Sequence, residues 1–293
     1  MKNKLSLFAV PYVGWMSIFV VAPIIIMVVY AFSTAAGDFT LENFARMGTY
    51  TAVFTRSFKL AIIATLIALL IGYPVSYMLS KEGPQVQRIA MVLIMLPMWM
   101  NFLLRTYSWM SILENNGLLN QLFQQIGLID LYNQIAMHFA SDPAAYVPID
   151  HFQMIGTQGA VVLGMVYNYL PFMILPIYSV IVKLDHSLIE AARDLGANSV
   201  QVFRRVILPL SLPGVLSGIT MVFVPSVSTF AISKMLGGGT EMLLGDLIEQ
   251  QYMGGAYNPY LGAAISLVMM VIVVICMVVM NRFGEGEEQA VMM

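Results

Sequence analysis

The side chains of this sequence that are best suited to binding chemistry are aromatic and acidic, and both types bind cations. A Trp or Tyr ring attracts an ammonium group through its π face, and a carboxylate attracts it by charge. Asp246 and Glu249, three residues apart, would share one face of a helix. Trp and Tyr are equally typical of anchors at membrane interfaces, and acids of ordinary surfaces. The cation-binding candidates are Trp99, Tyr107, Trp109, Tyr167, Tyr169, Asp246 and Glu249.

Signatures of catalysis are missing from the sequence. It contains neither G-x-S-x-G nor H-E-x-x-H, and no paired acidic clusters of the kind that bind prenyl diphosphates. His138, His151 and His186 are scattered over loops, and the single Cys276 lies in an apolar run. We therefore predict a protein that is not an enzyme and has no metal site. The phosphate-binding motif G-x-x-x-x-G-K-[ST] is also missing, so any dependence on ATP must come from another chain.

The composition places the chain in a lipid bilayer. Of its 293 residues, 59% are hydrophobic and 10% are charged, whereas about 25% are charged in ordinary soluble domains. The net charge of −2 argues against a nucleic-acid partner, because phosphates require a basic surface. The uncharged stretch that follows Lys2 and Lys4 is too long for a cleaved signal peptide, and it predicts a retained first span.

Six windows are long and apolar enough to cross the bilayer, which takes about 20 residues of helix. The third is the weakest because Arg105 interrupts it, and this side chain must either extend to the outer interface, which we favour, or face a pore. The sequence thus predicts an all-α integral membrane protein with one transmembrane domain over residues 1–293. The spans are expected near residues 10–32, 58–79, 88–110, 157–182, 209–232 and 260–281.

The distribution of Lys and Arg orients these spans, because cytoplasmic loops retain basic residues. With the N-terminus in the cytoplasm, nine basic residues lie on the cytoplasmic side and four lie outside. Both termini and the loop between the fourth and fifth spans are therefore predicted to be cytoplasmic. On the outer side, the apolar spacing between Asn116 and Leu128 predicts a short amphipathic helix.

The loop between the fourth and fifth spans has the features of two short helices joined by a turn. Asp185 or Ser187 can cap the first helix, Glu190 falls in its first turn, and Gly196 suits the left-handed residue that ends it. Ser199 can cap a second helix. A groove on another protein, or the lipid headgroups, would cover the apolar face of the first helix. This face is expected to consist of Leu188, Ile189, Ala191, Ala192 and Leu195.

The spacing in this loop fits E-A-A-x3-G-x9-[IV]-x-L-P, which resembles the cytoplasmic coupling loop of permease subunits of ATP-binding-cassette importers. Val206 stands where that family usually has Ile. Residues 71–75, 96–101, 170–173 and 243–248 further resemble the first permease subunit of spermidine/putrescine importers. The residues that the resemblance assigns to coupling with the ATPase are Glu190, Ala191, Ala192, Asp194, Gly196, Leu208 and Pro209.

This resemblance implies the type I importer permease fold in a bacterial inner membrane, with this chain forming half of the pore for spermidine or putrescine. It implies three partners: a second permease subunit, two copies of a cytosolic ATPase that use ATP and Mg²⁺, and an extracytoplasmic polyamine-binding protein. This chain itself would bind no cofactor. Related permeases for iron, sulfate or phosphonates share much of the pattern, so those cargoes stay open. An ion-coupled secondary transporter would normally carry acids inside its spans, and none lies in the middle of these.

Overall fold

The computed structural model describes residues 10–139 and 146–291, without the side chains of residues 281 and 283–291. Lys2 and Lys4, which contribute to the predicted orientation, lie outside these residues. Within the described part the chain folds into helices, and its only β pairing is an isolated bridge between Ser33 and Phe39. The helices are α1 Val10–Ala31, α2 Glu42–Ser80, α3 Pro84–Trp99, α4 Phe102–Leu113, α5 Leu118–Gln125, α6 Leu128–Phe139, α7 Gln158–Ile181, α8 His186–Asp194, α9 Ser199–Ser228, α10 Ala231–Leu236, α11 Leu244–Met253 and α12 Pro259–Val291.

Five of these helices are long and apolar enough to cross a membrane, namely α1, α2, α7, α9 and the Pro259–Met280 part of α12. They match the predicted first, second, fourth, fifth and sixth spans. The predicted fifth span is four residues too long, because α9 ends at Ser228. These helices overlap the predicted spans, but α2 and α9 begin 16 and 10 residues before the predicted starts at residues 58 and 209.

The expected third span is broken. Helix α3 and the helical run Phe102–Gln125 meet at an angle of 91°, so residues 88–110 do not form one straight helix. The backbone of Met100 is extended, and the Asn101 side chain accepts the N–H groups of Leu103 and Leu104. Asn101 thus starts a new helix at the point where the previous one has ended.

The centre of the molecule is formed by α2, α7 and α9, which pack along one another. Glycine allows the close approach of α9 to α7. A Cβ atom at Gly218 would lie 2.8 Å from Met173 Sδ, and one at Gly214 would lie 2.8 Å from the Pro176 carbonyl oxygen. Small residues permit such contacts between membrane helices, where the gain comes from van der Waals packing.

Helix α1 lies at the edge of the molecule against α12. Its Tyr30 ring stacks on that of Tyr260, with the ring centroids 5.3 Å apart. Ala31 is buried at this end, whereas the most apolar window of the helix has no buried residue. The first span therefore leaves most of its surface for lipid or another protein.

The segment between α4 and α7 carries two further helices. The amphipathic helix predicted between residues 116 and 128 is found as α5, and it is followed by α6, which the sequence pattern did not predict. Gly127 joins them with φ +72°. The Asn120 side chain exchanges two hydrogen bonds with the backbone of Phe152, at 2.9 and 3.0 Å. These bonds attach the helical pair to the chain that enters α7.

Candidate functional site

The loop between α7 and α9 begins with a capped helix. The Ser187 N–H donates to Asp185 Oδ1 at 2.9 Å, which makes Asp185 the N-cap of α8 and excludes the other candidate, Ser187. This hydrogen bond lowers the pKa of the Asp185 carboxyl, since it favours the charged form. The expectation for Glu190 was wrong by one turn, because α8 begins at His186 and Glu190 lies in its second turn.

Gly196 ends α8 in the left-handed conformation that its position predicted, with φ +81°. The Ala197 N–H donates to the Ala192 carbonyl at 3.0 Å, and the Gly196 N–H donates to the Arg193 carbonyl at 2.8 Å. These two bonds form the Schellman arrangement, which satisfies carbonyls at the end of a helix. A Cβ atom at Gly196 would meet nothing within 4 Å, so the need for glycine is set by the backbone alone.

The second helix of the loop starts one residue earlier than expected. Asn198, not Ser199, is its cap: Asn198 Oδ1 accepts the Gln201 N–H, and Gln201 Oε1 accepts the Asn198 N–H, both at 2.9 Å. This helix does not end within the loop. It is the first part of α9, which continues through a π-helical turn, Phe203–Ile207. Leu208 and Pro209 therefore lie within a continuous helix that joins the loop to a span.

The apolar face of α8 is narrower than expected. Leu188, Ala191 and Leu195 are exposed on one stripe, and Leu195 has 89% of its surface accessible. Ile189 and Ala192 are instead half-buried, with Ile189 turned to the body of the protein, where Ile207 and Tyr77 line the same cavity. The exposed stripe is what a partner can cover. Glu190 and Asp194 are also exposed, beside this stripe.

Of the five aromatic candidates, Trp109 and Tyr167 contact each other, edge to face, with ring centroids 5.2 Å apart. Tyr169 and Trp109 are half-buried against one apolar cluster. Trp99 and Tyr107 stay exposed, at 74% and 51%. The structure thus brings Trp109 and Tyr167 into contact, places Tyr169 against the same apolar cluster as Trp109, and leaves two rings at the surface.

Arg105 does not extend to the outer interface, contrary to the expectation we favoured. Only 7% of this residue is exposed. Its Nη1 donates to the Pro97 carbonyl at 2.6 Å, and its Cζ lies 5.7 Å from the Tyr167 ring centroid. The charge therefore sits across the break between α3 and α4, beside the carbonyl end of α3, where a cation is favoured. Arg105 and Pro97 are eight residues apart in the sequence, and this spacing alone did not predict their contact.

The two acidic candidates lie near each other but in different surroundings. Asp246 is 6% exposed, and its Oδ2 accepts the Leu243 N–H at 2.8 Å at the start of α11. Burial raises the pKa of the Asp246 carboxyl. The Glu249 carboxylate accepts hydrogen bonds from the Lys234 ammonium at 2.9 and 3.0 Å. Both acids and Lys234 line a cavity of about 130 Å³.

Helix α10 connects the aromatic and acidic groups. Its Ile232 and Leu236 belong to the apolar cluster against which Trp109 and Tyr169 pack. Its Lys234 faces the acidic cavity. The sequence indicated the aromatic and the acidic group separately. It did not predict α10, whose first two residues were assigned to the end of the predicted fifth span.

The sequence is similar to a family of membrane transport proteins and to several of its members. Residues 69–285 match the family described as the binding-protein-dependent transport system inner membrane component. The spermidine/putrescine transport system permease protein PotB of Haemophilus influenzae is 35% identical, over 97% of this chain and 96% of its own length. PotB of Escherichia coli K12 is 34% identical, over 93% of this chain and 95% of its own length.

The fold is also found in solved structures. One is a chain in the crystal structure of a bacterial ABC transporter involved in the import of the acidic polysaccharide alginate. It superposes with a TM-score of 0.72 at 17% identity, covering 97% of this chain and 96% of its own. The chain described here belongs to the family of inner-membrane components of binding-protein-dependent transport systems, and it is a non-catalytic permease subunit that spans the membrane.

Proposed function

We propose that this permease forms half of the pore of a polyamine importer and that the loop from Asp185 to Pro209 is its contact with a cytosolic ATPase. The observation that carries the coupling role is the exposed stripe of Leu188, Ala191 and Leu195 on a helix that is capped at both ends. Covering a Leu side chain is worth about 1.5–3 kcal/mol, so a groove that receives this stripe would bind it firmly.

The connection of the loop to the membrane supports the same role. Since α9 runs without interruption from Ser199 to Ser228, a force on the loop reaches the span directly. Closure of two ATPase copies around ATP and Mg²⁺ would move this loop and open the pore outward, and hydrolysis would reset it. This chain would bind neither ATP nor Mg²⁺. The coupling contacts are proposed for Glu190, Ala191, Ala192, Asp194, Gly196, Leu208 and Pro209.

The polyamine cargo is supported by the similarity to the two spermidine/putrescine permeases and by the side chains of the site. The paired rings of Trp109 and Tyr167 would offer a π face to an ammonium group. Glu249 would exchange its Lys234 partner for a cationic cargo, while Asp246 would hold the start of α11. The remaining path candidates, Trp99 on α3 and Tyr107 on α4, would contact the cargo from the exposed surface of these two helices.

The assembly that this function requires has three partners. A second permease subunit would complete the pore, two ATPase subunits would bind the coupling loops, and an extracytoplasmic binding protein would deliver the polyamine. Both termini would then lie in the cytoplasm of a bacterial cell, with α5 and α6 on the outer side of its inner membrane.

The test is uptake of labelled spermidine by cells that lack this chain, restored by a plasmid carrying it. We expect rescue that is inhibited by putrescine and unaffected by sulfate or ferric iron. Competition by sulfate or ferric iron instead of putrescine would reject the polyamine cargo. A Leu195→Asp variant should reach the membrane but fail to retain the ATPase during purification; normal retention and uptake would reject the coupling role.

A further inference from the structure

Phe203 lies at the point where the coupling loop enters the body of the protein. It is the first residue of the π-helical turn in α9. Its ring meets those of Tyr77 and Tyr73 edge to face, with centroid distances of 5.2 and 5.8 Å and interplanar angles of 63° and 86°. Tyr73 and Tyr77 are one helical turn apart on α2. A single ring of the loop thus contacts two consecutive turns of a central span.

Both tyrosines are held in place by polar contacts. The Tyr73 hydroxyl lies 2.8 Å from Ser211 Oγ, which is further along α9. The Lys81 ammonium lies over the Tyr77 ring, 3.8 Å from its centroid, at the end of α2. Val202, which precedes Phe203, and Ile207, which ends the π turn, are both buried. The aromatic contact is therefore fixed on both helices.

The π turn determines where the Phe203 ring points. A π turn holds one more residue than an α turn, and in an α-helix each residue rotates the following side chains by about 100°. Without the π turn, the side chains that precede Ile207 would be rotated about the helix axis relative to the rest of α9. Single π turns inside α-helices occur frequently at functional sites. Here the turn directs the ring at α2.

We propose that Phe203 is a positioning residue that transmits movement of the coupling loop to α2 through Tyr73 and Tyr77. This inference rests on the coupling role proposed above. Displacement of α8 would move the start of α9, and the Phe203 ring would press on α2 at a second point besides the α9 span itself. Because α2 packs along α7 and α9, the movement would reach all three central spans together.

The test compares variants in complete importers reconstituted in liposomes with the ATPase and the binding protein. Phe203→Leu removes the ring and keeps an apolar side chain, whereas Phe203→Tyr keeps the ring. The matched control is Phe223→Leu, because Phe223 also makes an aromatic contact between α9 and α2, tilted by 43° against Phe58 with ring centroids 6.2 Å apart, far from the loop. The measured quantity is the number of ATP molecules hydrolysed per solute imported, with the solute identified in the uptake competition.

We expect Phe203→Leu to retain the ATPase and its hydrolysis but to raise this ratio at least tenfold, and Phe203→Tyr to stay within twofold of the wild type. Phe223→Leu should lower the melting temperature and leave the ratio unchanged. Tyr77→Leu should raise the ratio as Phe203→Leu does, and the double variant should be no worse than either single one. A wild-type ratio in Phe203→Leu, or the same rise in Phe223→Leu, would overturn the inference.

A Leu195→Asp complex measured beside these variants separates the two proposals. If it loses the ATPase while Phe203→Leu keeps a wild-type ratio, the role of Phe203 is rejected and the coupling loop stands. If Leu195→Asp assembles and transports normally, the coupling role of the loop is itself rejected.

Discussion

Replacing Gly196 with Val changes the residue that sets the angle between α8 and the start of α9. The side chain would enter open space, since no heavy atom lies within 4 Å of its Cβ position. The backbone, however, has φ +81°, which costs a residue other than glycine about 1–3 kcal/mol. A cost of this size lowers the equilibrium ratio of capped to uncapped loop about 5–150-fold.

The expected result is a permease that is present in the membrane but poorly coupled. The two cap bonds, from Gly196 and Ala197 to the carbonyls of α8, would be lost together when the backbone leaves this conformation. The stripe that carries Leu195 would then turn away from the ATPase. Uptake should fall, by no more than the about 150-fold shift in this ratio at the upper limit of the backbone cost, and ATPase retained on the purified permease should fall with it.

The control for this prediction is Gly37→Val. Gly37 has φ +91° and also has nothing within 4 Å of its Cβ position, but it lies between α1 and α2, away from the coupling loop. The backbone strain is therefore matched while the location differs. Equal losses of uptake in both variants, or wild-type uptake and ATPase retention in Gly196→Val, would refute the reasoning.

Three further predictions concern other parts of the structure. Burial raises the pKa of the Asp246 carboxyl in the folded protein, so the protonated carboxyl stabilises the fold. The protection of the α11 amides from hydrogen exchange should therefore fall as the pH rises through this folded-state pKa. The Asp246→Asn variant should not show this pH dependence. Unchanged pH dependence in the variant would contradict it. Arg105→Leu removes the bond to the Pro97 carbonyl, worth about 1.5–3 kcal/mol for a charged donor, and should widen the distance distribution between spin labels on α3 and α4; an unchanged distribution would show that the break does not need Arg105. Gly218→Leu forces a side chain against Met173 and should destabilise the protein by about 1–3 kcal/mol in thermal unfolding, whereas Gly255→Leu, in open space, should not; equal melting temperatures for the two would argue against close packing of α7 and α9.

Local signals in the sequence were sufficient for much of the fold. Five spans are continuous apolar runs, and the caps of α8 depend on residues within two to five positions of each other. The roles of Asp185 and Gly196 therefore follow from their immediate neighbours in the chain. The start of the second helix was misplaced by one residue because Asn198 and Ser199 are both good caps, and the reciprocal bond to Gln201 decided between them.

Contacts between distant parts of the chain could not be predicted in this way. The break after α3 depends on Asn101, a cap inside an apolar window, where hydropathy gives no warning. Phe203 and Tyr73 are 130 residues apart in sequence and meet only because α2 and α9 pack side by side. The four-residue spacing of Tyr73 and Tyr77 places both rings on one face of α2, but it does not predict which ring packs against them.

The continuous helix α9 has a mechanical consequence. Its 30 residues correspond to a rod of about 45 Å at 1.5 Å per residue. Phe203 is the fifth residue, so about 6 Å of the rod lies on the loop side of this contact and almost 40 Å on the span side. The Phe203 contact therefore lies close to the loop end of the helix, so a displacement of the loop would reach α2 at this point before it reaches the far end of the span. A short stroke of an ATPase would then act on α2 and α9 together.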